Sequence, residues 1–239
     1  MKLKISFLIF FVINIIQAQE LPNAMVFTGG KKFERDQFID MFESLKDITF
    51  TEYFNADGTT DFKNPDISTY DVLVFYNVSQ HISEIQKEAF LNLLEQGKPM
   101  LFLHHALVCY QDWPTYEHIV GGKYYHAKKG KDSLSVIPST YKHDEQIPVQ
   151  IINRNHPITY NMNDFVILDE VYNKFKRHNN VTPILSTTHP ESEKVIAWTH
   201  TYGNAPIVFI QLGHDHQAYE NTNYRTLINN AIQWLAKTP

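Results

Sequence analysis

The chain has 239 residues, 43% of them hydrophobic and 13% aromatic, and carries a formal charge of -5. That is material for one large domain with a sizeable core, and the acidic balance excludes the basic face that a nucleic-acid partner would need. A single cysteine, Cys109, excludes an intrachain disulfide, so stability has to come from core size.

The first predicted element stands outside the fold. Lys2 and Lys4 precede an apolar run over 5–16, and Ala18 offers a small residue for cleavage before Gln19. This is the three-part pattern of a secretory signal peptide. The run is shorter than the roughly 20 residues of a membrane-spanning helix, and no second long apolar stretch follows. The expectation is a signal peptide over 1–18, export to the periplasm or the extracellular space, and a single soluble domain over 19–239. A retained N-terminal anchor is the alternative.

Residues 24–28 (AMVFT) read as a strand stopped by Gly29-Gly30. Phe33, Phe38, Met41, Phe42 and Leu45 then recur at helical spacing. A second strand over 49–54 closes at the Asp57-Gly58 turn. The run 72–76 (VLVFY) is apolar throughout, as in a parallel strand buried on both faces. Ser83 and Gln86 form a capping box for a helix whose apolar face is Ile85, Ala89, Phe90, Leu93 and Leu94, with Gly97 as its stop. The next strand, 99–103, ends at His104. Strand–helix–strand alternation of this kind implies right-handed βαβ units, hence an α/β fold with a mostly parallel sheet and helices on both faces.

From 133 to 211 the pattern changes. Short strand candidates lie at 134–137, 149–152, 165–168, 182–186, 195–199 and 207–211, with a turn at Gly203-Asn204 between the last two. They predict mixed or antiparallel strands added to the sheet in the C-terminal half. A final helix over 224–235 presents Tyr224, Leu227, Ile228, Ala231 and Leu235 on one face.

The chemically useful residues fall at predicted strand ends: His104-His105, His156, Asp169-Glu170, His200 and His214-Asp215-His216. Ligands of open α/β sheets collect at the carboxyl ends of the strands, so these groups are expected to converge. Histidines beside a carboxylate can move protons near neutral pH or hold a divalent ion such as zinc. In extended chain His104 and His105 would point to opposite sides, so only one of them is expected in a given pocket. Asp169 and Glu170 point apart for the same reason, which argues against a paired-carboxylate glycosidase centre. His81, His118, His143, His178 and His189 fall in helices or loops and receive no role. Trp113, Tyr116, Tyr124, Tyr125, Tyr172 and Trp198 are candidates for stacking on a sugar ring. Cys109 reads as a buried small apolar residue. No HExxH, Gly-x-Ser-x-Gly elbow, P-loop or GxGxxG occurs.

Taken in order, several of these pieces form a pattern: LFL followed by His104, Asp112-Trp113-Pro114 with Tyr116, and Val120-Gly121-Gly122. It continues through His156-Pro157-Ile158-Thr159, Asp169-Glu170-x-Tyr172, Ala197-Trp198-x-His200-x-Tyr202-Gly203 and Leu212-Gly213-His214-Asp215. The pattern resembles the trehalose-utilisation (ThuA-like) family, whose fold is that of the class I glutamine amidotransferases. The resemblance implies a flavodoxin-like sheet and a place in carbohydrate metabolism, in company with sugar oxidoreductases. His104 would lie near where amidotransferases carry a nucleophilic cysteine. This chain has none there, so thiolate chemistry is unsupported, and His126 matches a family histidine only with shifted spacing.

The resulting expectation is an enzyme of hydrolase or lyase type acting on glycosides or keto-sugars. His104, Glu170 and His214 would be its acid–base groups or the ligands of a divalent metal, and Trp113, Tyr172, His200 and Asp215 would line the substrate pocket. A non-catalytic carbohydrate-binding module using the same pocket is the alternative. The expected partner is a small sugar or glycoside, with neither nucleic acid nor membrane.

Overall fold

The computed structural model describes residues 20–127 and 137–238. The expected leader and all but the last residue of the strand predicted at 134–137 lie outside the described residues. Among the described residues no helix is long and apolar enough to cross a membrane.

The apolar runs of the N-terminal half become β1 (Asn23–Gly29), β2 (Thr49–Asn55), β3 (Val72–Phe75) and β4 (Met100–Leu103). Between them lie α1 (Arg35–Glu43) and α2 (Glu84–Glu95), and α3 (Pro114–Val120) follows β4. Of the capping box expected at the start of α2, only half forms. Ser83 accepts from the Gln86 N–H, whereas the Gln86 side chain turns away to the Phe62 N–H and Asp61.

Next come β5 (Gly122–Lys123), β6 (Thr140–Ile151), β7 (Phe165–Asn173), β8 (Lys176–Arg177), β9 (Thr182–Thr187), β10 (Val195–Tyr202) and β11 (Ala205–Ile210). The chain ends in α4 (His216–Tyr219) and α5 (Thr222–Lys237). Strands run β2-β1-β3-β4-β11-β10-β9-β6-β7 in one sheet, and β5 pairs with β8 in a small second sheet. From β2 to β11 the neighbours are parallel, the flavodoxin-like order, while β10, β9, β6 and β7 extend the sheet in antiparallel fashion.

Alternation along the strands sorts the core into two layers. Ala24, Val26, Val72, Val74, Leu101, Leu103, Val208 and Ile210 pack with α1, α4 and α5. Met25, Phe27, Leu73, Phe75, Met100, Phe102, Ile207 and Phe209 pack with α2 and α3 on the other face. Each such side chain, fully buried, stabilises the fold by about 1.5–3 kcal/mol relative to exposure. The layering leaves the carboxyl ends of β4 and β11 open at the top of the sheet.

β6 starts nine residues before the predicted strand at 149–152. The stretch from Thr140 to Pro148 pairs with β7 but has no partner on β9, so it stands out from the sheet as an arm. That arm hangs over the carboxyl end of β4 and β11.

Candidate functional site

β4 ends at Leu103, and the chain turns at once into a 3₁₀ turn over His104–Val108. His104 makes that turn with φ of +40°, in the left-handed region that non-glycine residues seldom occupy. The turn overturns the expectation that His104 and His105 face opposite ways. Alternation holds only in extended chain, and here both rings are buried side by side with centroids 4.3 Å apart.

The His104 ring is fixed at both nitrogens. Nδ1 lies 2.5 Å from the Gln211 carbonyl, which can only accept, so Nδ1 carries the proton. Nε2 then points to Glu170 Oε2 at 2.8 Å, Tyr172 Oη at 3.0 Å and His214 Nδ1 at 3.1 Å. Glu170 and Tyr172 are two apart on β7 and therefore share a face. His214 Nδ1 is 2.9 Å from the same Glu170 oxygen. His105 completes the group, with its Nε2 3.0 Å from the Lys31 ammonium.

The loop that carries His214 is pinned from below. Asp169 points to the opposite side of β7 from Glu170 and accepts the N–H groups of Gly213 at 2.7 Å and His214 at 2.9 Å. Tyr76 and Tyr219 donate to the His214 carbonyl from the helical layer. The loop thus has little freedom, and the imidazole it carries is aimed rather than merely exposed.

His143, given no role from sequence, also reaches the cleft. Between Lys142 and Glu145 the pairing of β6 with β7 slips, and Asp144 takes φ of +57°. Two residues then oppose the single Glu170, and such a bulge re-aims a side chain. His143 Nδ1 comes to 3.5 Å from Glu170 Oε1, and its ring packs 4.6 Å from that of His214. Only pairing geometry reveals this; the polar run Tyr141 to Gln146 has no apolar alternation that would show a strand, still less a bulge.

Electrostatics follow from the packing. Burial alone would raise the Glu170 carboxyl, but hydrogen bonds from His104 and His214 outweigh it and hold the carboxyl well below the usual carboxylate range. Burial likewise opposes protonation of His214, and the Glu170 carboxylate reverses the balance and raises its pKa. Burial, with the charges of His104 and Lys31, pushes His105 well below the ordinary value and keeps it neutral. His104, His105, Glu170 and His214 each offer one ligand atom within 4.8 Å of the others, so this group has the composition and spacing to hold a metal ion.

Three residues expected in the pocket serve elsewhere. Trp113 is buried between α2 and α3, packed against Phe90 and Tyr116. His200 bonds the Ile119 carbonyl, as Trp198 Nε1 bonds that of Val120, so the two satisfy carbonyls left open at the end of α3. Asp215 caps α4 by accepting from the Gln217 N–H. The structure does bring Tyr172 to His104, with rings stacked 4.7 Å apart. Cys109 is buried, its thiol directed at the Asn77 carbonyl and pushed up to about 12 by burial, away from the cleft chemistry.

The sequence profile of the family described as trehalose utilisation, ThuA, matches residues 23–235. The chain belongs to the ThuA family. Among solved structures, it is similar to a ThuA-like protein from Parabacteroides merdae (17% identity, 91% of each chain covered, TM-score 0.76). It is also similar to a ThuA-like protein from Bacteroides uniformis (19% identity, 92% of this chain and 94% of that one, TM-score 0.65). A β-galactosidase from Bacillus circulans sp. alkalophilus shares the fold over 90% of this chain and 31% of its own length, at 9% identity and a TM-score of 0.58. Among curated proteins, no sequence matches. The ThuA assignment supports a role in carbohydrate utilisation, and the likenesses in structure establish the flavodoxin-like fold with its added strands.

Proposed function

We propose that this ThuA protein is an enzyme of hydrolase or lyase type that acts on glycosides or keto-sugars at the triangle of His104, Glu170 and His214. One observation carries the reading. The Nδ1 of His104 donates to the Gln211 carbonyl, and its Nε2 lies 2.8 and 3.1 Å from Glu170 Oε2 and His214 Nδ1. Contacts this short between a carboxylate and two imidazole nitrogens require a proton or a cation between them. A site built to hold positive charge there suits the donation of a proton to a leaving oxygen or the polarisation of a carbonyl.

With Asp169 committed to backbone N–H groups, Glu170 is the one carboxylate lining the cleft among the described residues. A two-carboxylate glycosidase route has no second acid there. Proton transfer between Glu170 and a histidine is better matched to the chemistry. One takes a proton from water or from a C–H next to a carbonyl, and the other returns one to the departing glycosidic oxygen. A divalent ion, zinc first, would be held by His104, Glu170 and His214, with His105 beside them, and would supply Lewis acidity. The His104 Nδ1 bond to a backbone carbonyl is the support that metal-binding histidines commonly have. The leader pattern of 1–18 favours action outside the cytoplasm.

Kinetics against a panel of glycosides and keto-glycosides, beside binding calorimetry, test the reading. Turnover that vanishes in His104→Ala and His214→Ala, with circular dichroism unchanged, supports it. Binding without turnover across the panel would instead favour a carbohydrate-binding module. Elemental analysis of untagged protein and activity under chelator decide the metal: substoichiometric metal with activity unaffected by chelator removes it.

A further inference from the structure

We infer that the ligand of this cleft is an acidic sugar, one bearing a carboxylate or a sulfate, and that Lys31 and Lys32 receive the anionic group. The inference rests on the proposed action at His104, Glu170 and His214 and names its substrate class. The cleft has a volume of about 510 Å³, and its lining includes Lys31, Lys32, His105, His143 and His214 against one acidic residue, Glu170.

That carboxylate cannot neutralise the lysines, because both of its oxygens face imidazoles. Oε2 lies 2.8 Å from His104 and 2.9 Å from His214, and Oε1 lies 3.5 Å from His143. Lys31 does have a partner, His105 Nε2 at 3.0 Å, but an imidazole brings no negative charge that could cancel the ammonium. Lys32 makes no hydrogen bond or ion pair among the described residues. In a chain of net charge -5 this local excess of positive charge stands out, and a cleft lined by one sign of charge concentrates ligands of the other.

The backbone that carries the lysines is held in place. They follow β1 directly, where Gly30 has φ of +75° and a Cβ on it would meet the Val78 carbonyl oxygen at 1.7 Å. Only glycine permits that close crossing, and it turns the chain so that Lys31 reaches the histidine cluster. Lys31 and Glu170 thus line the same cleft. A neutral sugar would cover these charges without answering them, which is unfavourable.

Calorimetry at low salt with glucose, glucuronate, glucose 6-sulfate and glucose 6-phosphate tests this, alongside turnover of matched glucosides and glucuronides of both anomers. We expect at least one acidic sugar to bind about tenfold more tightly than glucose or better. The advantage should shrink in 0.5 M salt on the order expected for exposed charges, disappear in the Lys31→Met/Lys32→Met double variant, and survive in the double Arg variant. The ranking of glucuronate, sulfate and phosphate identifies the anion. Acidic sugars that bind no better than glucose, or an advantage that persists in the Met variant, overturn the inference, as does failure of every sugar to bind. Acidic preference without turnover keeps the inference and overturns the enzymatic reading; turnover of neutral glycosides with no acidic preference does the reverse.

Discussion

His104 combines a strained backbone with a fully buried, fully engaged ring. A left-handed φ in a non-glycine residue costs on the order of 1 kcal/mol or more, and bonds to Gln211, Glu170 and Tyr172 hold it there. This separates two substitutions that remove the same ring. His104→Ala keeps the strain, whereas His104→Gly relieves it, so the glycine variant should be the more stable by about 1 kcal/mol in urea denaturation. Both should lose turnover by at least about 10²-fold. Equal stabilities would show that the backbone at 104 carries no strain.

Cys109 supplies a second measurement at this scale. Its thiol is buried and its pKa stands near 12 rather than the ordinary 9.0. At pH 8 native protein should resist iodoacetamide and react fully only in denaturant. The sign for stability follows: the folded state keeps the proton, so the contribution of this group is fully present below pH 9.0 and is lost as pH rises toward 12. Rapid alkylation of native protein would contradict the buried placement.

Among the elements, Gly213 decides how well His214 is aimed. Its φ is +111°, and a Cβ there would sit 2.1 Å from the hydroxyl of Tyr224, a buried residue of α5. Gly213→Ala should destabilise the protein by about 2 kcal/mol or more and reduce turnover further by displacing the loop that Asp169 pins. Chemical denaturation and kcat on the same preparation check both; a variant as stable and active as the parent would refute the argument.

Elements were legible in the sequence where burial dictates composition. VLVF of β3 and MLFL of β4 are apolar on both faces because helices cover both, and α5 shows its stripe because one face alone meets the sheet. The projecting part of β6 was hidden: water surrounds it, so residues such as Lys142, His143 and Glu145 leave no alternation. The same contrast runs through the cleft. His104, Glu170 and His214 could be found because strand ends converge, while His143 depends on a pairing slip and Lys31 on a loop crossing, neither of which has a one-dimensional signature. Trp113, His200 and Asp215 belong to the family pattern, and their contacts are those of packing, helix-end satisfaction and capping. A recurring motif marks a shared fold as readily as a shared chemistry.

Across the whole molecule, β11 lies between β4 and β10, so the parallel and antiparallel parts of the sheet are joined by the last strand of the chain. Ile207, Val208, Phe209 and Ile210 are all buried without residual exposure. A protein ending at Asn204 would lack this strand and α5 together. It should be recovered in inclusion bodies or with the exposed apolar surface of a collapsed state, measured by dye binding; a soluble, cooperatively melting fragment would refute this.

The same placement has a consequence for biosynthesis. While the ribosome is still short of residue 205, the apolar strand Met100–Leu103 has been made and has one open side, with no local partner to close it. Unpaired apolar edges are where half-made chains stick to one another. This protein therefore passes a long part of its synthesis, from residue 103 to residue 205, in an adhesive form, and the step that ends that exposure is the arrival of its final strand.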